Sequence, residues 1–188
     1  AQSALERVRA LKNRNEECRI LSIMGWIALE KKEAELAKQH LKDALEIARE
    51  MKNPDVESKA LNNLAMAEGS LNGNYALARE YYEQSNKILQ MIGDQSTLAS
   101  SLANLGFVAG MLGDFSAARS YHEQVLRMAT EVGNLYQQIY TLINISALDG
   151  IQDQADSARR NAQRAADLAR KASDRSGEAW AMMYLGHA

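Results

Sequence analysis

Apolar residues recur along this chain at helical spacing, and the helical text breaks at nearly constant intervals. Leu5, Val8 and Leu11 form the first such stripe. The pattern predicts helices over residues 1–12, 15–30, 33–51, 55–71, 75–92, 95–112, 115–132, 135–150, 154–172 and 175–187. Breaks fall at Asn13, Asn53, Asp94, Asn134 and Asp174, about 40 residues apart, a spacing in the range of helical repeats. Between them lie shorter turns, of which Gly73-Asn74-Tyr75 and Gly113-Asp114-Phe115 are the clearest. Glycine takes the left-handed conformation that closes one helix, and Asn or Asp caps the next.

The unit is therefore a helical hairpin. Small residues (Gly25, Ala65, Gly106, Ser146, Gly186) recur on the first helix where its partner must come close. Ala37, Ala78, Ala118 and Ala158 answer them from the second. The stretch from Ala65 to Gly73 is one residue longer than Gly106 to Gly113, which predicts a bulge or looser turn near residues 69–72. One hairpin cannot bury its apolar stripe alone, but stacked neighbours can. The expected organisation is a single array over residues 1–188: a half-repeat 1–13, repeats 14–53, 54–94, 95–134 and 135–174, and a half-repeat 175–188. Because it begins and ends inside repeats, with neither end looking capped, it reads as a fragment of a longer array.

The Leu64-Ala65, Leu105-Gly106 and Leu185-Gly186 pairs, the Gly-Asn/Asp-aromatic turns and the alanine after them resemble the tetratricopeptide repeat family in its 40-residue form. The first and fourth repeats depart from it at the turn, with Lys32-Glu33-Ala34 and Asp153-Gln154-Ala155. The resemblance implies an all-α, right-handed superhelical solenoid of antiparallel hairpins, with the first helix of each on the concave side.

Composition narrows the function. The formal charge is −2, with 22 Lys and Arg against 24 Asp and Glu, so nothing argues electrostatically for nucleic acid. No apolar run approaches a membrane span, and no signal-peptide pattern appears. Cys18 is the single cysteine, which excludes an internal disulfide and a cysteine-rich metal site. A reduced, cytoplasmic setting is the default. His40, His122 and His187 lie far apart with no triad or metal spacing around them, and His122 reads as a packed or solvated histidine. The glycines close helices and build no phosphate loop. Arg159, Arg160, Arg164, Arg170, Lys171 and Arg175 form a basic stretch offset by Asp153, Asp156, Asp167 and Asp174, read as a solvated face. The chain is expected to be no enzyme and to need no cofactor or metal.

The family geometry maps a candidate groove. Two residues before the small position stand Asn63, Asn104 and Asn144, in three successive repeats, flanked by Ile23 and Tyr184. Such a ladder can hold the main chain of an extended peptide, because an amide both donates and accepts. Similar ladders do so in kinesin light chain and spindle-orientation adaptors, and Asn62-Asn63-Leu64-Ala65 looks like the former. The other reading is a structural ladder that fixes repeat stacking. The position after the small residue reads Trp26, Met66, Phe107, Ala147 and His187. With Asn62, Lys59, Ser100 and Tyr140, these give an apolar groove with scattered polar groups. Taken singly, Trp26 and Phe107 read as packing between repeats before they read as ligand contacts.

The leading expectation is a non-catalytic scaffold that binds a protein or peptide segment in the groove. Asn63, Asn104 and Asn144 would hold its backbone, and Met66, Phe107 and Tyr140 would select its side chains. The alternative is a ligand-sensing module of a multidomain bacterial signalling ATPase or transcription regulator, which such imperfect repeats also resemble. Self-association through the uncapped ends is a third.

Overall fold

The computed structural model describes residues 2–187, and the side chains of residues 3–186. The expectations that touch Ala1, Ala188 and the His187 side chain lie outside them. The described residues form ten α-helices and one π-helical turn: α1 (Gln2–Ala10), α2 (Arg14–Glu30), α3 (Ala34–Glu50), α4 (Pro54–Met66), the π turn (Ala67–Leu71), α5 (Tyr75–Ile92), α6 (Gln95–Met111), α7 (Phe115–Glu131), α8 (Leu135–Ile151), α9 (Ala155–Ala172) and α10 (Arg175–His187). The chain divides into two compact units, Ala1–Ser101 and Leu102–Ala188.

The helix starts follow the expected caps. Asn13, Asn53, Asn74, Asp94, Asp114, Asn134 and Asp174 each accept, through the side chain, the amide three residues on. Pro54 occupies the first turn of α4, where its missing N–H costs nothing. The helix ends depart from expectation. Every turn closes through a left-handed residue, but only Gly73, Gly93, Gly113 and Gly133 are glycines; Lys12, Lys32, Lys52, Asp153 and Ser173 take the same conformation with φ of 52–60°. The turns inside the first and fourth repeats, which depart from the family's glycine, therefore have the geometry of the others, with Lys32 and Asp153 strained into it.

In the first unit, α2 and α3 pair as a hairpin, α3 packs on α4, and α4 pairs with α5. Its core is two clusters. Leu5, Cys18, Leu21, Ala44, Ile47 and Ala48 form one, and Leu29, Leu41, Leu45, Leu61 and Leu64 with small alanines form the other. Leu21, Leu41, Leu61 and Leu64 are fully buried, each contributing about 2 kcal/mol of apolar transfer. An added Cβ on Gly25 would lie 2.6 Å from Leu41 Cγ, so the small position exists to admit that leucine. The extra residue after Ala65 is absorbed by the π turn, where the loosened turn was expected. That turn buries Glu68, whose carboxylate lies 3.7 Å from Lys38 Nζ of α3 and accepts from Asn72 Nδ2 at 3.0 Å.

In the second unit, α7 packs on α8, α8 pairs with α9, and α10 packs on both α8 and α9. Five buried alanines of α9 (Ala158, Ala162, Ala165, Ala166 and Ala169) let it approach α8 closely. Ser146 Oγ donates to Ala158 O at 2.8 Å across that contact. Gly106 plays the part of Gly25: an added Cβ would lie 2.7 Å from His122 Cε1. His122 is thus a packed histidine, 2% exposed. Asp149 is fully buried on α8, bonded to the Arg119 guanidinium of α7 and, at 2.8 Å, to Asn161 Nδ2 of α9. Among the described residues no helix is long and apolar enough to cross a membrane.

Candidate partner-binding groove

The first unit carries a groove of about 670 Å³ between the faces of α2 and α4, with the start of α6 beside it. Helical spacing decides which side chains reach it. Asn15, Arg19, Ile23 and Trp26 lie on one face of α2, and Val56, Lys59, Asn62 and Asn63 on one face of α4. Thr97 of α6 completes the lining. The floor is apolar: Ile23 and Trp26 are each 46% exposed, beside Val56.

The charged groups of the rim are paired within their own helices. Arg19 Nη2 lies 2.7 Å from Glu16 Oε2, and Lys59 Nζ lies 2.8 Å from Asp55 Oδ2. Both pairs are exposed, so each is worth little and either partner can turn to a ligand. The Asp94 carboxylate is held below its ordinary range by the Thr97 hydroxyl and amide. Asn62 presents the groove's one polar oddity: its Oδ1 is buried and has no hydrogen-bond partner. An unpaired buried acceptor is costly, and it marks the amide as one that gains by turning toward a partner.

Of the residues singled out in the sequence, Trp26, Lys59, Asn62 and Asn63 come together here. Trp26 is half in solvent on the groove face of α2. Ile23, which interrupts the asparagine series, is part of the floor. Met66 lies at the end of α4, half-buried against the Leu29–Leu64 cluster. Ser100 is exposed on α6, its hydroxyl donating to Ser96 O at 3.3 Å. In the second unit, Asn104 and Asn144 are exposed on α6 and α8, and Phe107 is 57% exposed. Tyr140 packs against the Ile139–Ala181 cluster, with its ring 4.6 Å from that of Tyr136. Burial raises its phenol above the ordinary value, and Tyr136 and Asp174 add to that. Sequence reasoning missed Asn15, Arg19, Val56 and Thr97. The signal was available: each lies one to three helical turns before an identified groove position.

Among the described residues no three His, Cys, Asp or Glu side chains gather as a metal site. Cys18 is buried and donates to Ala44 O at 3.1 Å, and burial raises its thiol above the ordinary value, which leaves it unreactive. Burial lowers His122 to about 4, so it is neutral and enclosed.

Two tetratricopeptide repeat models match the sequence, one over residues 56–131 and one over residues 19–51, together more than half the chain. No curated protein matches it closely enough to count as a relative. Among solved structures it is similar to BtubC from P. vanneervenii, with a TM-score of 0.85 and 18% identity over 98% of this chain and 78% of that one. It is similar to the Signal Transduction ATPase with Numerous Domains (STAND) protein with a tetratricopeptide repeat sensor from Pyrococcus horikoshii, with a TM-score of 0.87 and 18% identity over 96% of this chain and 28% of that one. It is also similar to a Rap protein complexed with competence and sporulation factor, with a TM-score of 0.78 and 16% identity over 98% of this chain and 49% of that one. It thus spans three quarters of BtubC but only about a quarter of the STAND protein and half of the Rap protein. At such identities the likeness is one of fold, and the matched repeats supply the family: the chain belongs to the tetratricopeptide repeat family.

Proposed function

We propose that the chain is a non-catalytic binding module that holds an extended segment of a protein partner in the groove of its first unit. The observation that carries this is the apolar floor of Ile23 and Trp26, left open to solvent beside the amides of Asn62 and Asn63. The floor takes an apolar side chain on Ile23, Trp26 and Val56. Asn62 and Asn63 exchange hydrogen bonds with the segment's main chain, which offers a donor and an acceptor at every residue. On the second unit Asn104 and Asn144, both exposed on α6 and α8, would make the same kind of contact to a segment bound there.

The test is a paired capture followed by affinity measurement. A partner retained by the wild-type chain is titrated against Trp26→Ala and against Asn62→Ala/Asn63→Ala. Loss of a half-exposed aromatic anchor at an interface centre costs about 2 kcal/mol, or about 30-fold in affinity. Unchanged affinity in both variants, with both folded, would remove the groove from the reading. Replacing Asn104 and Asn144 by Ala then asks separately whether the second unit takes part.

A ligand-sensing role is the second reading. The groove's volume lies within the range of small-molecule sites, and the STAND protein's repeats are described as a sensor. A metabolite that raises the melting temperature of the wild type but not of Trp26→Ala, with no protein partner captured, would favour it.

A further inference from the structure

The sequence contains a single Asn-Gly pair, Asn72-Gly73, and it falls in the turn between the π turn and α5. Both residues are exposed. Gly73 holds φ at +66°, and a Cβ placed on it would meet nothing within 4 Å, so the residue after Asn72 carries no side chain and stands in open space. The other turn asparagines differ. Asn13, Asn53, Asn74 and Asn134 have their side-chain oxygens engaged as helix caps, and they precede Arg14, Pro54, Tyr75 and Leu135. The related Asp149-Gly150 pair lies inside α8 with its carboxylate fully buried.

We propose that Asn72-Gly73 is a site of spontaneous covalent modification, at which Asn72 deamidates and thereby unlocks the buried Glu68. The Gly73 amide nitrogen attacks Asn72 Cγ and forms a C–N bond. The Cγ–Nδ2 bond breaks, and Nδ2 leaves as ammonia with the proton that the Gly73 amide gives up. Water then opens the cyclic succinimide at either carbonyl, giving aspartate or isoaspartate, with no oxidant or reductant required.

The structure assigns a consequence to this reaction. The departing Nδ2 is the group that donates to Glu68 Oε2 at 3.0 Å. Glu68 is 5% exposed, and Lys38, 3.7 Å away, is also 2.6 Å from Glu35. After deamidation a carboxylate stands where a donor stood, and one lysine serves three carboxylates. Like charges at that range cannot be held together without cost. Glu68 O also receives the Asn74 amide at 2.9 Å, the bond that closes the hairpin between α4 and α5. Isoaspartate additionally inserts a methylene into the main chain next to the left-handed Gly73.

The experiment incubates the native chain in mildly alkaline buffer and follows it by peptide mapping and thermal unfolding. The peptide holding Asn72 is expected to exchange NH for O several-fold faster than those holding Asn134 or Asn161. The melting midpoint is expected to fall in step with the converted fraction. Asn72→Gln, which retains an amide donor, is expected to keep its midpoint through the same incubation, and Asn72→Asp to start at the lowered one. Conversion at Asn72 no faster than at Asn134 and Asn161 would overturn the site. Conversion without any fall in the midpoint, together with Asn72→Asp melting like the wild type, would overturn the link to Glu68.

Discussion

His122 makes the sharpest prediction about this chain's stability. It lies over Gly106, 2% exposed, with Nδ1 buried and unpartnered. Burial lowers its pKa from 6.5 to about 4, so the folded chain holds it neutral where the unfolded chain would protonate it. The sign follows from proton counting. Between pH 6.5 and about 4 the unfolded state binds the extra proton, so stability rises with pH across that window. The contribution is intact above about pH 6.5, and it is lost progressively as the pH falls toward 4. The full shift corresponds to about 3 kcal/mol, most of it spent by about pH 4.5.

The chain supplies its own control. In the α2–α3 hairpin, Gly25 faces Leu41, in the same register as Gly106 and His122. His122→Leu should therefore fit the space over Gly106 and remove the titration. Urea unfolding of both proteins at about pH 7 and at about pH 4.5 isolates the term, because carboxylates such as Glu17 lose stability in acid equally in each. Glu17 is one of these: burial pushes its carboxyl up, but bonds from Arg9 and Arg14 outweigh that and hold it below the ordinary value. The variant is expected to match or exceed the wild type near neutrality, and to pull ahead by about 2 kcal/mol more in acid. Equal losses for the two proteins would refute the enclosed, neutral histidine.

Two further predictions concern the turns and the buried charge. Lys32→Gly and Asp153→Gly remove a side chain from a left-handed residue at φ 60° and 55°, and each should stabilise by about 1 kcal/mol in thermal unfolding. Lys32→Ala, which keeps the Cβ, should give no such gain. Arg119→Ala strands the fully buried Asp149 and should cost about 3–5 kcal/mol, while Arg119→Met with Asp149→Leu should recover most of it. If the double variant is as unstable as the single one, Asp149 does more than answer Arg119.

How much was legible depends on the range of each cause. The period was plain because caps and closing turns are local: Asn53 or Asp94 meets an amide three residues away, and the text around it suffices. The π turn was legible for the same reason, as one surplus residue between fixed neighbours. The left-handed Lys12, Lys52 and Ser173 were not, since the closing bonds of the turn force the conformation and glycine only makes it cheaper. The groove was legible by halves. Trp26, Lys59, Asn62 and Asn63 follow from register once the family resemblance says which helix lines the concave side, but Arg19 and Asn15 read as ordinary surface until α2 and α4 are set side by side. The buried carboxylates were hidden because their partners lie in another helix: Lys38 for Glu68 and Arg119 for Asp149. Yet they too obey the period. Both cations follow the small alanine of the second helix, and both acids stand three residues past the small position of the next first helix. Arg79, which likewise follows the small Ala78, pairs with Glu83 of its own helix. A repeat therefore specifies where a charge between helices can be buried, and the Lys38–Glu68 and Arg119–Asp149 junctions both use that place.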